Sequence, residues 1–400
     1  MNLAFEQSYF TMGCKIEYGP DVYKRIGDLV KDFSCKKAML VTSPDLVKVG
    51  LAEKVASPIR EEGFSVEIFD KVISEPTDEM VSAGVDSFKD TKCDIIIGLG
   101  GGSAMDCAKC IGVMAENPGS LRDYEGAESD FPHDSTHPLI TMPTTSGSGA
   151  EIAGWAVISD TSRNYKMSFG SPFLLPDYAL VDPQLTIDLP PKQTAYSGLD
   201  ALSQAIEGML SKRRTPITLA LGMHAIRLIS ENLPRAVARG WDLEARSNMS
   251  TGSLLAGLVI DISGCIAVHS LAETIGGMYH LPHGLCVALC LPHVLKFNLP
   301  GDYELLAQIA QALGVNTTGY STRDAAELSI VRIDQMLNDL KFPTLKEVSL
   351  KEGDIPQIAR LAMGNVCTED NPRQPSVEDY ESILREGLAD TRRTRPDVII

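Results

Sequence analysis

Through its first half the chain alternates short apolar runs with longer amphipathic stretches. Lys37-Ala38-Met39-Leu40-Val41-Thr42, Ser65-Val66-Glu67-Ile68-Phe69-Asp70 and Asp94-Ile95-Ile96-Ile97-Gly98-Leu99 read as strands, with helical patterns over residues 51–62 and 78–89 between them. Strands separated by helices imply crossovers and a parallel sheet. Ile95-Ile96-Ile97 shows no polar alternation, as expected of a strand covered on both faces. Residues 120–137 read as loop. Further β signals follow at residues 138–143, at Ala156-Val157-Ile158 and at Tyr178-Ala179-Leu180-Val181. After Pro190-Pro191 the period changes to that of helices, over residues 193–211, 216–232, 243–261, 266–279, 303–313 and 323–340. The pattern predicts an α/β domain over residues 1–189 and an all-α domain over residues 190–400.

The third strand runs directly into Gly100-Gly101-Gly102-Ser103, and a helix is predicted from Ala104. Glycines let backbone approach a phosphate, and a helix N-terminus offers free N–H groups and partial positive charge. The spacing is neither the dinucleotide fingerprint nor a Walker loop, so residues alone leave the ligand as a pyrophosphate of open type. A second polar loop, Pro143-Thr144-Thr145-Ser146-Gly147-Ser148-Gly149, leaves the next strand at its carboxyl end, where ligands gather in open α/β sheets.

Asp200 and Gln204 stand one helical turn apart, as do His269 and Glu273, and His283 follows in Pro282-His283-Gly284. One carboxylate and two imidazoles from separate segments suit Zn²⁺ or Fe²⁺ with a position open for substrate. Spacing alone leaves plainer readings standing: Asp200 as an acid favoured near a helix start, His269 as a satisfied helix histidine, His283 as a turn residue. His280 and His293 read as structural. Cys107 and Cys110 form a C-x-x-C with no second pair at zinc-ribbon spacing, and read as small apolar residues one turn apart.

Composition narrows the field. The 36 basic against 53 acidic residues give a net charge of −17, which excludes a nucleic-acid partner and disfavours an anionic membrane. Nine scattered cysteines suggest no disulfide framework and a cytoplasmic setting. Residues Met1 to Glu6 lack a signal-peptide pattern, and the most apolar run, residues 252–260, is too short to span a bilayer.

Taken together these segments resemble the iron-containing (group III) alcohol dehydrogenase family. The likeness rests on Gly100-Gly101-Gly102-Ser103 with Asp106 and Lys109, and on Pro143-Thr144-Thr145 through Glu151. It rests also on Gly198-Leu199-Asp200-Ala201-Leu202 through Glu207, and on His269 through Pro282-His283-Gly284. Asp182-Pro183, Leu291-Pro292-His293 and Asn371-Pro372-Arg373 add to it, so that nearly the whole chain is covered.

The resemblance implies a dehydroquinate synthase-like architecture: an α/β N-terminal dinucleotide-binding domain and an all-α C-terminal metal-binding domain, with the active site in the cleft between them. It implies that Gly100, Gly101, Gly102 and Ser103, with Asp106, hold the pyrophosphate, and that Thr144, Thr145 and Ser148 line the cofactor cleft. Asp200, His269 and His283 match metal-ligand positions. Gln204 stands where a fourth ligand, a His, is usual, and Glu273 where a His near the reacting centre is usual. Related glycerol dehydrogenases manage with one Asp and two His. Gln204 is therefore expected to ligate weakly or through water, and Glu273 to serve as an outer ligand or proton relay. The expected reaction is hydride transfer between a small alcohol or aldehyde and NAD, with the metal as Lewis acid. Ser43, neutral where an acid often disfavours a 2′-phosphate, leaves NADP tolerated. A homodimer or larger homo-oligomer is expected. The rival readings are a metal-free reductase resembling maleylacetate reductase, a cyclase resembling dehydroquinate synthase, and a degenerate binding protein; the retained Asp200 argues against the first.

Overall fold

The computed structural model describes residues 12–126, 128–131, 137–163 and 165–390. Residues 1–6, and residues 127 and 132–136 of the expected loop, lie outside them. The rest of that loop holds a short 3₁₀ turn, Leu121–Tyr124.

The first unit is built on β1 (Lys15–Tyr18), α1 (Ile26–Asp32), β2 (Lys37–Val41), α2 (Pro44–Lys48), α3 (Leu51–Glu61), β3 (Ser65–Phe69), α4 (Asp78–Thr91), β4 (Ile95–Gly100), α5 (Gly102–Glu116), β5 (Leu139–Pro143), β6 (Trp155–Asp160), β7 (Tyr165–Gly170) and β8 (Tyr178–Val181). Six strands form one sheet in the order β1-β8-β5-β4-β2-β3, and every pairing in it is parallel. Successive residues of the central strands face opposite cores. Met39, Val41 and Ile96 pack with α5 residues such as Cys107 and Ile111. Ala38, Leu40, Ile95, Ile97 and Leu99 pack with Leu29, Val55 and Ile59 of α1 and α3. Burial on both sides explains why these strands are apolar without alternation. β6 and β7 form a separate antiparallel pair; β7 escaped the sequence reading because polar Lys166 and Ser168 interrupt a short run.

The order of the sheet has a consequence for ligands. From β2 the chain moves outward to β3 and then returns to the other side of β2 as β4, so the connections after β2 and β4 diverge at a topological switch point. Val41 is in register with Gly98, and Gly100 with Pro143. Ser43, Gly100–Ser103 and Thr144–Ser148 therefore leave the sheet at the same carboxyl edge.

The second unit consists of helices: α6 (Pro191–Leu210), α7 (Pro216–Ala238), α8 (Leu243–Ser263), α9 (Ala267–Tyr279), α10 (His283–Asn298), α11 (Tyr303–Ala312), α12 (Thr322–Asp339), α13 (Ile355–Met363) and α14 (Val377–Leu388). α10 packs against α6, α9, α12 and α14. It is apolar enough and, with the turn to Gly301, long enough to pass for a membrane span, but 72% of that stretch is buried in the protein, as befits a core helix. The expected division at residue 190 needs one correction. Residues 240–250 pack with the α/β unit, because the buried Arg246 guanidinium donates to the carbonyls of Leu189 (3.1 Å) and Ile187 (3.4 Å).

Candidate metal centre and cofactor loops

Three helices of the second unit bring Asp200, His269 and His283 together. Asp200 lies in the middle of α6, His269 in the first turn of α9, and His283 opens α10. One ligand atom from each lies within 4.8 Å of the others. Asp200 Oδ1 is 3.7 Å from His269 Nε2 and 3.6 Å from His283 Nε2. That oxygen is buried and has no hydrogen-bond partner among the described residues. A buried carboxylate oxygen facing two imidazole nitrogens, too far for hydrogen bonds, is a donor set for a cation.

Close packing makes the convergence possible. A Cβ on Gly284 would collide with the backbone carbonyl of Tyr196, one turn before Asp200. Only glycine lets the start of α10 approach α6 closely enough to put His283 beside Asp200. The start of α9 is fixed by Asn371, which accepts from Ala267 N (3.3 Å) and exchanges side-chain hydrogen bonds with Asn298 of α10.

Glu207 was part of the family likeness but received no role from sequence reasoning. It is fully buried, two turns along α6 from Asp200. Its Oε1 meets His269 Nδ1 at 2.7 Å and accepts from Ser203 Oγ at 2.6 Å, and its Oε2 accepts from Ile266 N at 3.0 Å. A carboxylate on Nδ1 keeps the proton there and turns Nε2 toward Asp200. The signal was present: Asp200, Ser203, Gln204 and Glu207, at i, i+3, i+4 and i+7, place polar groups on one stripe of the otherwise apolar stretch 198–210 of the helix. The electrostatics favour positive charge. Burial opposes ionisation of His269, yet the Glu207 and Asp200 carboxylates outweigh it and push its pKa up to about 10. Burial also lifts the Asp200 carboxyl to about 6, against the lowering influence of His269. Gln204 is buried and hydrogen-bonds the Asp200 side chain.

Glu273 is not in the cluster. It sits half-buried one turn beyond His269 and accepts from Asn365 Nδ2 at 2.6 Å. His280 caps α9 in a left-handed conformation, and His293 is buried 3.9 Å from Asp390.

In the α/β unit, Gly100 has φ +152°, and a Cβ there would lie 2.7 Å from that of Ala104. Glycine thus allows β4 to turn at once into α5. Thr144 N donates to Gly100 O (2.9 Å), tying the two loops together, and Ser146 Oγ lies 3.2 Å from Ser250 Oγ. Gly101, Gly102, Thr145 and Ser148 are half-buried, and Thr144 is buried. Ser103 Oγ donates to Ser74 O, and Ser43 Oγ accepts from Leu46 N as the N-cap of α2. Asp106 points into the scaffold, accepting from Val157 N (3.0 Å), and burial pushes its carboxyl up to about 6.

Models of two families match almost end to end: iron-containing alcohol dehydrogenase over residues 14–183, and the Fe-containing alcohol dehydrogenase family, C-terminal, over residues 194–388. The chain belongs to the iron-containing alcohol dehydrogenase family. This alcohol dehydrogenase is 40% identical over 371 residues to the NAD-dependent methanol dehydrogenase of Bacillus methanolicus, covering 92% of this chain and 97% of that one. It is 36% identical to the choline dehydrogenase of Bacillus subtilis, covering 96% of each. The crystal structure of a 1,3-propanediol oxidoreductase superposes with a TM-score of 0.93 at 37% identity, covering 96% of this chain and 100% of that one. The protein is an oxidoreductase acting on alcohols, which sets aside the reading as a non-catalytic binding protein. Cys107 and Cys110 of this dehydrogenase are core residues of α5; burial pushes the Cys107 thiol up to about 12 and Cys110 well above its ordinary value.

Proposed function

We propose that this chain interconverts a small alcohol and its aldehyde with NAD as hydride partner and a divalent ion, Fe²⁺ or Zn²⁺, held by Asp200, His269 and His283. The observation that carries the reading is the buried, unpartnered Asp200 Oδ1 set between two imidazole Nε2 atoms. When bound, the ion supplies Lewis acidity toward the substrate oxygen.

The chain's own residues prepare that site. Glu207 holds the proton on His269 Nδ1 and leaves Nε2 for the ion. Gln204 steadies the Asp200 carboxylate and contributes to the ion weakly or through water. His283, 39% exposed where Asp200 and His269 are buried, marks the side from which substrate reaches the ion. Gly100–Ser103 and the start of α5 take the pyrophosphate, with Thr144, Thr145 and Ser148 beside it. Asp106 acts through the scaffold under that loop. The neutral Ser43, at the edge of the same crevice, takes the adenosine side and tolerates a 2′-phosphate, so NADP is accepted less well than NAD. Nine free cysteines, seven of them buried, suit a reducing cytoplasm. The names of the relatives span methanol, choline and 1,3-propanediol, so the family scaffold accommodates different groups beyond the reacting carbon.

The test is a panel of short alcohols and aldehydes with NAD(H) and NADP(H), run on protein stripped by chelator and on protein reloaded with Fe²⁺ or Zn²⁺. Activity is expected only after reloading, with one ion bound per chain. Full activity in rigorously metal-free protein overturns the metal assignment.

A further inference from the structure

We infer that Glu273 selects substrate by charge, favouring alcohols that carry an ammonium group a few carbons from the hydroxyl. The inference rests on the metal-dependent reading above and concerns the same site. α9 carries His269, Glu273 and Gly277 at i, i+4 and i+8, on one face. Along this line the helix passes from buried His269 to half-buried Glu273, and then to Gly277, where an added Cβ would meet nothing within 4 Å. A substrate whose oxygen lies at the His269 end and whose far end follows this line passes Glu273 one turn on.

The charges around that line are unequal. Asp200 and Glu207 together match a divalent ion charge for charge, and Glu273 is left as excess negative charge. Among the described residues no Lys or Arg pairs with it. The neutral Asn365 amide donates to Glu273 Oε2 at 2.6 Å and orients the carboxylate, and among the described residues Oε1 has no hydrogen-bond partner. The group that complements a half-buried, oriented, uncompensated carboxylate is a cation with N–H donors.

The experiment compares 3-amino-1-propanol with 1-butanol, which have the same chain length and differ in an ammonium against a methyl end. The ratio of their kcat/KM values is measured for the metal-loaded parent, for Glu273→Gln and for the charge-retaining Glu273→Asp. Dissociation constants of both alcohols are measured by calorimetric titration as a readout independent of turnover. The ratio, and the preference in binding, are expected to fall about 10-fold in Glu273→Gln and far less in Glu273→Asp. In the parent the ratio is expected to fall as salt is raised, an arm that needs no variant to fold. Turnover of 1-butanol with a ratio that neither Glu273→Gln nor salt moves overturns this inference alone. Failure of both alcohols to react in the metal-loaded parent overturns the proposed small-alcohol, metal-dependent reading and this inference with it.

Discussion

Replacing Glu207 by Gln changes one atom of a buried side chain outside the proposed ligand set, and it is expected to weaken metal binding strongly. Glu207 accepts hydrogen bonds on both oxygens: from His269 Nδ1 and Ser203 Oγ on one, and from Ile266 N on the other. An amide has one acceptor oxygen. If that oxygen turns to Ile266 N, the NH₂ faces Nδ1, and His269 must move its proton to Nε2, the atom proposed to face the ion. If the oxygen turns to Nδ1, the NH₂ faces the Ile266 N–H inside the protein, a mismatch costing about 1–3 kcal/mol. Loss of such an outer partner typically weakens metal affinity about 10- to 100-fold, or about 1.4–2.7 kcal/mol. Zn²⁺ affinity, measured by competition with a chromophoric chelator, should fall by that factor, while circular dichroism reports a folded protein. A Glu207→Gln protein that binds Zn²⁺ within threefold of the parent refutes the claim that Glu207 sets the His269 tautomer.

Gly284→Ala forces a methyl group into the Tyr196 carbonyl; the start of α10 must retreat, costing about 1–3 kcal/mol of stability by overpacking and weakening Zn²⁺ binding, as thermal unfolding and the same competition assay will show. Gly100→Ala places a side chain where φ is +152° and Ala104 is 2.7 Å away; NADH binding followed by fluorescence should weaken at least about 10-fold with Zn²⁺ affinity intact, and an unchanged dissociation constant would remove this loop from the nucleotide site. Burial lifts the Glu151 carboxyl from 4.5 to about 7. The folded state therefore holds that proton more tightly than the unfolded chain does. The stability it confers is present below pH 4.5 and is lost as pH rises to about 7. Denaturant titrations across that window should show a decline, up to about 3 kcal/mol from this group, that Glu151→Gln abolishes.

The local chemistry was legible in the sequence. Unbroken apolar strands declared a sheet covered on both faces, Gly100–Ser103 declared a strand-to-helix turn, and Asp200, His269 and His283 carried residue types suited to a metal. These are properties of short windows: period, turn residues and donor atoms. α10 was not legible, because a helix buried on every side has no polar face to set a period. What only the tertiary structure decided was proximity. Whether three side chains 14 to 83 positions apart in sequence share one point depends on how closely α6, α9 and α10 pack, which turns on the missing side chain of Gly284 and the hydrogen bonds of Asn371. The same packing turned Glu207 from one acid among many into the partner of His269 and left Glu273 outside the cluster. Helical spacing puts Gln204 and Glu273 on the faces of Asp200 and His269, but a helix does not specify what its face meets. That is set by long-range contacts between segments, which no local pattern encodes.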